Sequence, residues 1–114
     1  MTELIDFLNH RNEAHVRLYC DGVSVSAEGL PEDSDSLPAG LKEALCNIFS
    51  LLESRVPALD GICVSGVYFR EKEPVFCAMD IWLEAGGEGC YLPMASAASL
   101  FSDNGIPYYH HPIL

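Results

Sequence analysis

The chain has 114 residues, of which 49% are apolar, and its 17 acidic residues face six Lys and Arg for a formal net charge of −11. That length suits one domain, expected over 1–114, and the apolar content excludes wholesale disorder. Such a charge repels nucleic acid and anionic membrane and attracts basic proteins.

The acidity is clustered, with no base between Arg17 and Lys42 and none after Lys72. Thr2 is a candidate cap for a short helix over 3–9, with Leu4, Ile5 and Leu8 as its apolar stripe. Residues 14–20 and 23–28 then alternate in polarity around Asp21-Gly22, which predicts a hairpin with a two-residue turn. That register pairs Cys20 with Val23, Leu18 with Val25, Val16 with Ala27 and His15 with Glu28.

Residues 29–37 read as a polar loop carrying Glu32, Asp33 and Asp35. Ser36 is a candidate cap for the main helix, which runs to about Arg55 with Leu41, Leu45, Ile48, Phe49, Leu52 and Val56 at helical spacing and ends at Pro57. Two strands follow over 62–70 and 75–85, joined by a polar turn over 71–74. The first is apolar on both faces, as a central strand is. In the second, strict alternation puts Val75, Cys77, Met79, Ile81 and Leu83 on one face and Phe76, Ala78, Asp80, Trp82 and Glu84 on the other. The glycine-rich run 86–89 predicts a second hairpin turn, with a short edge strand over 90–92 stopped by Pro93. A short helix over 95–101, capped near Asn104-Gly105, and a tail that is either a strand or an ordered arm complete the chain.

This order predicts an α+β fold: a single antiparallel sheet of about five strands, one long helix packed on one face, and short terminal helices.

Catalytic signatures are missing from the sequence: it holds no nucleophile elbow, no P-loop and no dinucleotide fingerprint. The five cysteines form no C-x-x-C pair and sit mostly in apolar runs, as reduced thiols of a cytoplasmic protein do. Cys20 and Cys90 are the least buried by pattern, but the acidic surroundings disfavour a thiolate. His110 and His111 are adjacent possible metal ligands, yet on an extended tail their rings point apart. No cofactor, no metal and no enzymatic activity are therefore expected.

Two groups of residues suit protein binding. Glu32, Asp33 and Asp35 would steer a basic partner, and Asp80, Trp82 and Glu84 would anchor it from a sheet face. Trp82 has a second reading, burial under the N-terminal helix or the C-terminal tail. A small acidic chain without a catalytic motif shares its profile, though no motif, with bacterial immunity proteins against nuclease toxins. Phage inhibitors of nucleic-acid-binding defence complexes, of the anti-CRISPR type, share it too. The expectation is a stoichiometric inhibitor of a basic protein, with toxin neutralisation first. An anti-defence inhibitor, an adaptor or structural subunit, and a small enzyme are the alternatives.

Overall fold

The computed structural model describes residues 13–30, 37–69 and 75–109. In chain order they form β1 (Glu13–Cys20), β2 (Val25–Glu28), α1 (Leu41–Glu53), β3 (Leu59–Phe69), β4 (Val75–Ala85), β5 (Glu88–Tyr91) and α2 (Met94–Asp103). The predicted helix over 3–9, the cap at Ser36, the turn over 71–74 and the pair His110-His111 lie outside the described residues.

The fold is α+β. Its five strands form one antiparallel sheet in the order β2-β1-β3-β4-β5, with β3 central as its apolar faces predict. Both helices cover the same face. From α1, Leu41, Leu45, Ile48, Phe49 and Leu52 are buried, and from α2, Ala97 and Phe101. They join Val16, Leu18, Ile62, Val64, Phe76, Ala78, Ile81 and Leu83 of the sheet in one core. Each large side chain so buried stabilises the fold by about 1.5–3 kcal/mol relative to exposure. Among the described residues no helix is long and apolar enough to cross a membrane.

The expected contrast of one long helix with short ones is not met, since α1 has 13 residues and α2 has 10. Gly40 sits at φ +80°, outside the helical region, so residues 37–40 turn instead of adding a helical turn, with Leu41 N–H donating to Pro38 O at 3.2 Å. At the other end, Asn104 Nδ2 donates to Leu100 O at 2.8 Å and carries α2 beyond its predicted stop.

The first hairpin differs from its predicted register by two residues. Cys20 pairs with Val25, Leu18 with Ala27 and Arg17 with Glu28, while His15 pairs with Val67 of β3 and not with Glu28. The connection is therefore residues 21–24, longer than the expected Asp-Gly turn. Asp21 is the cause. Its carboxylate accepts the backbone N–H of Val23 at 2.9 Å and of Ser24 at 2.7 Å, a side-chain turn that outcompetes the tighter one. These hydrogen bonds, first from Ser24 and then from Val23, hold the Asp21 carboxyl below its ordinary range. Because the shift is even, no paired side chain changes face. Val23 alone leaves the pattern and is 85% exposed. The second hairpin is tighter than the expected turn over 86–89: Ala85 pairs with Glu88 around Gly86 and Gly87, both at positive φ, so the edge strand is Glu88–Tyr91 and not 90–92.

In β4 the strict alternation is broken by a bulge. Ser65 pairs with Asp80 and Gly66 with Ala78, which leaves Met79 as the extra residue. The phase flips there. Phe76 and Ala78 join Ile81 and Leu83 in the core, whereas the expected facial set was Val75, Cys77 and Met79. Gly66 makes this possible, because a Cβ there would overlap the Cys77 carbonyl and stand 2.7 Å from the Phe76 ring.

Of the tail, the described part ends at Tyr109 and meets the sheet at a single bridge. Tyr108 forms a parallel bridge to Ala78 beside the part of β4 that β5 does not reach. Its ring stacks on Phe101 at 6.5 Å on the helix side, while Tyr109 meets Phe69 at 6.1 Å on the other.

Candidate functional site

The sheet face opposite the helices divides into two halves. Toward the Phe69 end, Val67 is fully buried and Phe69 and Cys77 are half-buried. The other half is open and forms a concavity of about 710 Å³, lined among others by Arg17, Tyr19, Cys63, Ser65, Asp80 and Trp82. It lies over the middle of the sheet, where alternation turns these side chains away from the core.

The register arranges the face in rows across the strands. One row is Glu28, Arg17, Ser65 and Asp80. The next is Ser26, Tyr19, Cys63, Trp82 and Tyr91, and beyond it stand Gly61, Glu84 and Gly89. An aromatic row thus runs between rows that carry carboxylates. Cys63 is the small residue in its middle, so the face is a slot with Tyr19 on one wall, Trp82 and Tyr91 on the other, and Cys63 and Ser65 as floor.

Each wall is held in place. The Trp82 indole lies over Gly89, where a Cβ would collide with the ring. The ring meets Tyr91 at a centroid distance of 4.7 Å and an angle of 73°, a favourable T-shaped contact. On the opposite wall the Tyr19 hydroxyl donates to Glu28 Oε2 at 3.3 Å. Tyr19 first, and then the charge of Glu28 across the hairpin, raise the Arg17 pKa. On the floor, Ser65 Oγ donates to Asp80 Oδ1 and orients that carboxylate. Burial pushes the Cys63 thiol up, with Tyr19 and Arg17 pulling against it, so Cys63 is a neutral thiol at physiological pH and a poor nucleophile.

Asp80, Trp82 and Glu84 are therefore brought together on the open face. Trp82 is half-buried by Gly89 and Tyr91, its neighbours on β5, and lies outside the core. Glu32, Asp33 and Asp35 lie outside the described residues; the chain enters that segment from Gly29, which lines the slot. Sequence reasoning missed Tyr19, Glu28 and Tyr91 as partners of Trp82. Cross-strand register carries that information, and the predicted hairpin placed Glu28 opposite His15.

Cys20 does not keep its expected exposure. It is 3% exposed, with its Sγ 4.0 Å from that of Cys46 on α1, and burial pushes its thiol up. Cys90 is exposed as expected. Among the described residues no three His, Cys, Asp or Glu side chains are grouped to hold a metal ion.

Comparison with known proteins finds no family model that matches the chain and no curated protein that resembles it.

Proposed function

We propose that this chain is a stoichiometric inhibitor that covers the working surface of a basic protein, and that its target is a bacterial nuclease-type toxin. The observation that carries the proposal is the open half-face: Tyr19, Trp82 and Tyr91 held in fixed positions among Glu28, Asp80 and Glu84, with neither described helix over them. Rigid aromatics supply contact area at low entropic cost, and the surrounding carboxylates match a surface evolved to grip phosphates. The net charge of −11 adds long-range attraction that speeds encounter. The chain acts in this reading by occupancy, without turnover, inside the cytoplasm where such a toxin must be neutralised.

The test is titration of purified nuclease toxin domains, beginning with any encoded beside this gene. Nuclease activity should fall to zero at one equivalent, and association should slow about tenfold or more between low and high salt. Reversing Glu32, Asp33 and Asp35 to Lys should slow association further while leaving Tm unchanged. Failure to inhibit any such domain, with inhibition of an RNA-guided nuclease complex instead, would move the protein to the anti-defence class. Tight, salt-independent binding without inhibition would make it an adaptor.

A further inference from the structure

We propose that the slot between Tyr19 and Trp82 receives an arginine side chain of the partner, its guanidinium stacked on the indole and bonded to Asp80 and Glu84. The inference rests on the inhibitory reading and names the chemistry that its site recognises.

Three features of the slot select this occupant. The first is charge. Glu28, Asp80 and Glu84 line it against a single guanidinium, that of Arg17. Arg17 stands opposite Glu28 on the β1–β2 hairpin, with β3 between it and the carboxylates of β4. Among the described residues that line the slot, no other Lys or Arg matches the two carboxylates on β4. The second is the shape of the Trp82 wall. The indole packs against Gly89 and makes a T-shaped contact with Tyr91, which fixes the ring, and it is Trp82, not Gly89, that lines the slot. A planar cation stacks on an indole face better than a compact ammonium does. The third is the state of the acceptors. Ser65 fixes Asp80 through Oδ1, which leaves Oδ2 for a second donor, and Glu84 is exposed on the same face, four residues along and beyond Trp82. Carboxylates flanking an aromatic plane suit the fork of a guanidinium. They disfavour a nucleobase, the other planar occupant of aromatic slots, because its phosphates would meet the same carboxylates.

The molecule carries its own reporter, since Trp82 is the one tryptophan in the sequence. The full chain is titrated at low salt with a capped Gly-Arg-Gly peptide while Trp82 emission is followed, beside the lysine and citrulline versions. The arginine peptide should give a saturable change with a millimolar-range dissociation constant, about tenfold weaker for lysine and absent for citrulline. Asp80→Asn combined with Glu84→Gln should weaken arginine binding about tenfold with an unchanged circular dichroism spectrum. Should that variant fail to fold, the arginine–citrulline comparison on the unaltered protein still decides. No response to arginine, or an equal response to citrulline, overturns the inference. A chain that inhibits a nuclease fully yet binds no arginine peptide loses this inference and keeps the inhibitory reading. Arginine binding without inhibition of any nuclease supports the slot and overturns that reading.

Discussion

The same strands build two unlike surfaces. On the helix side, Val16, Leu18, Ile62, Val64, Ile81 and Leu83 are buried in one continuous apolar core. One residue along in each strand, Arg17, Tyr19, Cys63, Ser65, Asp80 and Trp82 line an open slot of mixed polarity. Period-two alternation makes the two sets near neighbours in sequence and opposite in role. Rigidity on one side fixes the geometry of the other. The slot's side chains stand at fixed spacing because their neighbours are locked in close packing.

The largest effect that should separate the two faces comes from the core. Phe101→Ala removes a fully buried ring and should cost about 3–5 kcal/mol, read as a drop in the denaturation midpoint. A loss under about 1 kcal/mol would mean that α2 is not seated on the sheet. Next is Gly89→Val, which forces the Trp82 ring off its bed. We expect a loss of about 1–3 kcal/mol together with a shift in Trp82 emission. Emission left unchanged would contradict the contact. Trp82→Ala should cost about 1–2 kcal/mol, less than a core aromatic, while raising the dissociation rate of the basic partner about tenfold or more. A stability loss as large as that of Phe101→Ala, with normal binding, would turn Trp82 into core.

How far these faces could be read in advance varied along the chain. The α1 core positions Leu41, Leu45, Ile48, Phe49 and Leu52 follow directly from helical spacing, and the bounds of β4 from its flanking turns. That Asp80, Trp82 and Glu84 share a face was also legible, because Asp80 and Glu84 interrupt the apolar set with charge and alternation puts Trp82 between them. The phase of the first half of β4 was not. Phe76, Cys77, Ala78 and Met79 are all apolar, so nothing in their polarity says which alternate pair points inward. The Met79 bulge resolves that ambiguity in three dimensions. The hairpin register was missed for a local reason, since Asp21-Gly22 is a turn signal in its own right and the reach of the Asp21 carboxylate to Ser24 is not visible in polarity.

Two smaller effects sharpen the hairpin end of the comparison. The depressed folded-state pKa of Asp21 makes its contribution to stability present above the usual carboxylate value and lost as pH falls through the folded one. The gap in Tm between native protein and Asp21→Ala should thus be widest near neutrality and close as pH drops from about 4 toward 2. A gap constant down to pH 2 would remove the carboxylate from the turn. Smallest is Val23→Ser, which should change stability by no more than about 0.5 kcal/mol in chemical denaturation. A clear loss would restore the tighter turn, in which Val23 faces the core.

The bridge at Ala78 has a consequence for how the molecule meets its own copies. The N–H of Ala78 donates to Pro107 O at 2.8 Å, and its carbonyl accepts from Tyr109 N–H at 2.7 Å. Those groups would otherwise be an unsatisfied ladder on the stretch of β4 that β5 leaves bare, the kind of margin along which chains stack into aggregates. With Ala78 so occupied, that stretch of β4 is hindered from pairing with a strand of an identical chain crowded beside it.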